Sequence, residues 1–206
     1  MDSSGPRPKL VFAGDSVTAG RKSFFSKNVH SYCNVIEKKI PRQWDAINRG
    51  KAGNRVGDLS DRWQSDVISL QPRLVSVNIG VNDSWKRPRQ NFVTPHSEFR
   101  VRYTNLLLEA KAIQGMDVIL CEPFMLPLND QLECMREDLQ EKISIIHELA
   151  NQFNLIVVPF DDELRKEAKV KGERIIAKDG IHPTSFGAQL MGKIWLSCCS
   201  HLLLDE

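Results

Sequence analysis

The sequence predicts a three-layer α/β/α sandwich around a five-stranded, mostly parallel sheet. Three observations predict it: short β-branched apolar runs recur along the chain, amphipathic helical patterns separate them, and no repeat or low-complexity tract interrupts the alternation. The runs are Lys9–Ala13, Asp45–Ile47, Leu74–Ile79, Asp117–Cys121 and Leu155–Pro159, each short enough for a strand buried on both faces. Between them, Phe99, Tyr103, Leu106, Ala110 and Ile113 share one helical face. Leu132, Met135, Leu139, Ile143, Ile146 and Leu149 share another. Right-handed crossovers then place helices on both sides of the sheet.

The 206 residues suffice for one core, and residues 1–206 are read as one domain. Hydrophobic residues at 41% and charged residues at 26% match ordinary globular proteins and exclude a disordered or fibrous chain. Lys and Arg exceed Asp and Glu by 28 − 26 = 2 and are scattered, so no nucleic-acid partner is expected. Residues 1–10 are polar and carry Pro6 and Pro8, which points to a cytoplasmic protein with no membrane partner. Five cysteines, at 33, 121, 134, 198 and 199, form no CxxC pair and read as buried or inert thiols. No metal or other cofactor is implied.

In open parallel sheets, ligands sit beyond the carboxyl ends of the strands, so the segments that follow strands carry the chemistry. The first strand runs into Gly14-Asp15-Ser16, which presents Ser16 at a tight turn before a helix. A helix start supplies free N–H groups for an oxyanion, although Asp15 and Ser16 serve equally well as plain helix caps. The run Gly14 to Ser23 also looks like a phosphate-cradling loop. Five residues separate Gly14 from Gly20, however, and Arg21 precedes Lys22, which puts the cradle out of register.

Near the other end stands Asp179-Gly180-Ile181-His182-Pro183, followed by Thr184 as the cap of a last helix. A carboxylate three residues before a histidine can fix its Nδ1–H tautomer and turn Nε2 toward a serine; a capped surface turn is the competing reading. Gly53, after the second strand, and Asn82, after the third, offer an unobstructed N–H and an uncharged amide donor, and also suit ordinary turns. The histidines at 30, 96, 147 and 201 lack an acidic companion of this kind. The polar stretch Ser84–Pro95 reads as a surface loop.

Taken in order, these residues resemble the four blocks of the SGNH hydrolases, the GDSL esterase and lipase family. Gly14-Asp15-Ser16, Gly53, Gly80-Val81-Asn82-Asp83 and Asp179–Pro183 carry the resemblance, which spans nearly the whole chain. It implies a flavodoxin-like sandwich, a triad of Ser16, Asp179 and His182, and an oxyanion hole from the Ser16 N–H, the Gly53 N–H and the Asn82 amide. Residues 48–63 and 77–85 are most similar to carbohydrate acetylesterases, acetylxylan esterases among them, although Ala52 and Lys178 stand where those relatives often carry Ser and an aromatic residue.

That resemblance implies a small-molecule ester substrate, such as an acetylated oligosaccharide, with Asp15, Trp85 and Ile181 as expected substrate contacts; Trp85 serves equally well as a wedge that holds its loop to the body of the domain. An acyl hydrolase with the same triad acting on thioesters or lysophospholipids, a nucleotide-binding module and an assembly protein are the alternatives. The sequence leaves a homo-oligomer open.

Overall fold

A computed structural model describes residues 6–23, 26–84 and 93–204, with the backbone alone across 21–23 and 26–30. The first strand, β1 (Lys9–Gly14), leads into a one-turn helix, α1 (Ser16–Ala19), and an antiparallel hairpin, β2 (Arg21–Ser23) and β3 (Ser26–His30). Helix α2 (Tyr32–Glu37) starts at Ser31, whose hydroxyl accepts the Cys33 N–H. Strand β4 (Asp45–Gly50) is followed by α3 (Val56–Asp61) and α4 (Trp63–Asp66), and β5 (Leu74–Asn78) by α5 (Val81–Ser84) and α6 (His96–Lys111).

Strand β6 (Asp117–Cys121) crosses over through α7 (Asp130–Phe153) to β7 (Ile156–Val158). Helices α8 (Phe160–Lys171), α9 (Glu173–Ile176) and α10 (Ser185–Cys199) complete the chain. All five strands of the main sheet are parallel, in the order β4-β1-β5-β6-β7. This order reverses direction at β1, between β4 and β5, and such a switch point opens a crevice beyond the strand ends.

Both faces of β1 are buried. Leu10 and Phe12 join the core formed with α2, α8 and α10, while Val11 and Ala13 join the core formed with α3 and α6. Strand β6 divides likewise, Ile119 and Cys121 to the first core and Val118 and Leu120 to the second. This two-sided burial explains why the strands read as continuous apolar runs instead of alternating ones. Two polar side chains of β5 are buried, Asn78 at its end and Ser76 inside it, where Ser76 Oγ accepts from Trp195 Nε1 at 3.0 Å.

The helical faces expected of α6 and α7 are buried as predicted, except that Ile113 falls just past the end of α6. Strand β4 runs on to Gly50, because its register with β1 holds through the Gly14–Gly50 pair. The β2–β3 hairpin departs from the reading of a helix after Ser16: α1 ends after one turn, and the Gly14–Ser23 run forms no long helix behind a phosphate loop. Of the expected surface loop, residues 85–92, including Trp85, lie outside the described residues. At its two sides Ser84 and Thr94 are buried, Ser84 closing α5 and the Thr94 N–H donating to the Asp83 carbonyl at 2.9 Å, while Pro95 is exposed.

All five cysteines are unpaired and Cys33, Cys121 and Cys199 are buried, but Cys134 is exposed on α7. Among the described residues, no helix is long and apolar enough to cross a membrane.

Candidate active site

Gly14 ends β1 where the chain must turn sharply back over itself. A Cβ on Gly14 would collide with the Asn78 carbonyl and the Thr18 hydroxyl, so only glycine permits this approach. Asp15 follows as the N-cap of α1, its carboxylate accepting the Val17 N–H at 2.9 Å. That bond turns Asp15 inward and leaves Ser16 at the first helical position. Because α1 is a single turn, the Ser16 environment draws on individual N–H groups more than on a helix macrodipole.

Across the crevice, the last helix is capped by Thr184, whose hydroxyl accepts the Gly187 N–H at 3.1 Å. The loop before it folds around the Asp179 carboxylate. One oxygen accepts the His182 and Ile181 backbone N–H groups at 2.8 and 3.2 Å, and the other lies 2.8 Å from His182 Nδ1. The opposite ring nitrogen, Nε2, lies 2.9 Å from Ser16 Oγ. Ser16 thus forms one chain of hydrogen bonds with His182 and Asp179, both more than 160 positions away in sequence. Partial burial would raise the Asp179 carboxyl, but the bonds from His182 outweigh it and hold the group well below the usual carboxylate range.

The other two expected segments border the same crevice. Asn82 donates from Nδ2 to the Asn54 carbonyl at 3.0 Å, and Asp83 accepts the Val56 N–H at 3.1 Å, so the loop carrying Gly53 is tied to the start of α5 by two successive side chains. Asp83 is fully buried, and its carboxyl is pushed up to about 6 by burial, against the hydrogen bond from Thr94. Burial likewise pushes the Asp15 carboxyl up to about 7, and the Val17 N–H offsets it only in part.

Of the expected substrate contacts, Asp15 and Ile181 are each about 1% exposed. Asp15 serves as a cap, and Ile181 packs into the core beneath the histidine loop, so neither side chain offers surface to a ligand. Trp85 lies outside the described residues. Two of the other histidines meet an acid only from a distant part of the chain. His96 Nε2 lies 2.8 Å from Asp138 and His147 Nε2 lies 2.7 Å from Glu122. Among the described residues no serine hydroxyl bonds to either imidazole. Among the described residues, no three His, Cys, Asp or Glu side chains converge to hold a metal ion.

One residue of this region escaped sequence reasoning. Arg62, between α3 and α4, is 9% exposed and sends all its guanidinium nitrogens to acceptors at the site's edge. A signal was present, since Val56, Leu59, Trp63 and Val67 mark a buried face and Arg62 sits at its border, with Asp66 four residues on as its charge partner.

An α/β sandwich whose switch-point crevice holds a hydrogen-bonded serine, histidine and aspartate has the architecture of an ester hydrolase. Residues 12–190 match the GDSL-like Lipase/Acylhydrolase family, and the chain belongs to that family. It is a carboxylic ester hydrolase. The chain is 28% identical to an acetylxylan esterase of Geobacillus stearothermophilus, over 93% of this chain and 94% of the relative.

Among solved structures, one described as a GDSL-like lipase from Parabacteroides merdae superposes with a TM-score of 0.81 at 28% identity, covering 96% of this chain and 97% of the other. A serine-to-alanine catalytic mutant of an acetylxylan esterase from Geobacillus stearothermophilus superposes with a TM-score of 0.80 at 26% identity, covering 92% and 93%.

Proposed function

We propose that the chain deacetylates small acetylated carbohydrates or other short-chain esters through a covalent acyl-enzyme on Ser16. The observation that carries this reading is the continuous Ser16–His182–Asp179 chain, with contacts of 2.9 and 2.8 Å. His182 Nε2 removes the Ser16 proton as Oγ attacks the ester carbonyl, and the new C–O bond places negative charge on the carbonyl oxygen. The Ser16 N–H, the Gly53 N–H and the Asn82 amide receive that charge. The imidazolium then returns its proton to the departing alcohol, and the acyl group stays on Ser16. Water, deprotonated by the same nitrogen, attacks the acyl carbon; the Ser16 Oγ–acyl bond breaks, His182 returns the proton to Oγ, and the acid is freed.

Asp179 keeps the histidine oriented and stabilises it when charged. The acetylated-carbohydrate substrate is supported by the relative's activity on acetylated xylan and by full-length coverage of both chains. Five unpaired thiols suit a reducing, cytoplasmic setting, and residues 1–206 are taken as one catalytic unit.

The test is direct. Ser16→Ala should lose both ester turnover and covalent labelling by a fluorophosphonate; labelling that persists would assign the nucleophile elsewhere. Acetylated xylo-oligosaccharides, acetylated monosaccharides, thioesters and lysophospholipids assayed in parallel rank the substrate class. In a nitrophenyl ester series, rates that fall steeply beyond propionyl support a deacetylase, and rates that rise with chain length reject it.

A further inference from the structure

We infer that Arg62 is a positioning residue for the oxyanion hole, setting the distances among its three donors without touching substrate. The inference rests on the Ser16 reading given above and extends it to a residue outside the four sequence blocks.

Arg62 Nη2 donates to the Gly14 carbonyl at 2.8 Å, Nη1 to the Arg49 carbonyl at 2.8 Å and to Asp66 at 2.6 Å, and Nε to Asn54 Oδ1 at 2.7 Å. These acceptors are not a random set. Gly14 lies two residues before Ser16, Arg49 lies near the end of β4, and Asn54 is the immediate neighbour of Gly53. Asn54 in turn accepts Asn82 Nδ2 through its own carbonyl at 3.0 Å. A single planar group therefore joins the strand end bearing the nucleophile to the loop bearing the second donor, and through that loop to the third.

The chemistry of the side chain supports this role. Removing a guanidinium from water costs several kcal/mol, and one partner carboxylate offsets only part of it. Clamping two short helices to a sheet needs no such group. What arginine supplies is five N–H donors in a rigid fork, able to fix three backbone segments at defined angles, which an ammonium on a flexible stem cannot do. An oxyanion hole requires that definition, because donors displaced by about 1 Å can lose roughly 100-fold in rate.

Arg62→Lys keeps the charge and the Asp66 pairing but not the fork. With a nitrophenyl acetate substrate, it is expected to lower kcat by about tenfold or more while KM stays within about twofold. Affinity for phenylboronic acid, which forms a tetrahedral anion on the serine, should fall in parallel with kcat. Combined with Asn82→Ala, the loss should be well short of multiplicative, since both changes act on one hole.

A folded Arg62→Lys with kcat within about twofold of the wild type, or a fully multiplicative double variant, overturns the inference. Asn54→Ala is the second variant, because it removes one neutral acceptor and leaves every buried charge in place. It should lower kcat in the same manner, and full turnover in folded Asn54→Ala overturns the proposal even where Arg62→Lys does not fold. Turnover surviving in Ser16→Ala is a separate result, read without any Arg62 variant; it removes the underlying site assignment and this proposal with it.

Discussion

Asp179 holds His182 at two points, with one carboxylate oxygen 2.8 Å from the ring Nδ1 and the other 2.8 Å from the backbone N–H. The ring bond selects the tautomer that leaves Nε2 as acceptor for the Ser16 proton, and the backbone bond fixes where the ring begins. Asp179→Asn should keep the loop nearly in place, because an amide oxygen can still accept from the backbone, yet it can present an N–H to Nδ1 and favour the wrong tautomer. The expected outcome is a fall in kcat of about 1,000-fold or more with little change in melting temperature. Steady-state kinetics beside a thermal melt checks this, and a loss below about tenfold would remove Asp179 from the reaction.

Asn82 and Asp83 are neighbours with separable tasks. Asp83 anchors the start of α3 through the Val56 N–H, while the Asn82 amide reaches the Asn54 carbonyl at the crevice. Asn82→Ala should therefore leave the fold intact and lower kcat by about 100-fold, near 3 kcal/mol of transition-state stabilisation. An unchanged KM would show that the amide acts on the developing oxyanion and not on the bound ester. Normal turnover in this variant would eliminate Asn82 as a donor.

A pH dependence of stability follows from Asp15. Its carboxyl is raised from 3.8 to about 7 by burial, so the folded chain keeps a proton that the unfolded chain releases near pH 4. Between those two values the unfolded state binds fewer protons than the folded one, and stability falls as the pH rises. Asp15→Asn removes the ionisation while retaining an equally good cap for Val17. Its melting temperature should exceed that of the wild type, by a margin that grows from about pH 4 to about pH 7, levels off above that and reaches several degrees. A margin independent of pH would show that Asp15 does not titrate with folding.

Much of this arrangement was legible in the chain because it depends on local pattern. The five strands follow from apolar runs buried on both faces, and the Asp179–His182 spacing of three is itself the geometry of the pair. What escaped depends on partners far away in sequence. Arg62 and the Gly14 carbonyl are 48 positions apart, and His96 and Asp138 are 42 apart, so nothing near either residue announces its partner. The β2–β3 hairpin was missed for a different reason: Arg21–Ser23 and Ser26–His30 are mostly polar, and strand pairing there is not written as hydrophobic period. Asp15 and Ile181 show a third limit, since proximity to a block does not say which way a side chain points.

The loop that carries Asp179 and His182 also depends on Gly180, which has φ of 82° and packs tightly. A Cβ there would lie 2.5 Å from the Leu126 carbonyl oxygen and 2.7 Å from Leu132 Cδ1. Gly180→Ala thus meets both backbone strain and a collision with the main chain, and the loop must move to relieve them. Because Asp179 and His182 flank this position, displacement shifts the Nε2 atom from its 2.9 Å contact with Ser16. The expected cost is about 1–3 kcal/mol in stability, together with a fall in kcat of about tenfold or more.

Gly172 provides the comparison. Its φ is 96°, but a Cβ there meets nothing within 4 Å, and it lies at the end of α8. Gly172→Ala should cost about 1 kcal/mol through backbone strain and leave kcat unchanged. Equal kcat losses in the two variants would mean that strain at any glycine disturbs the site, and that the Gly180 contact has no special part in holding the histidine.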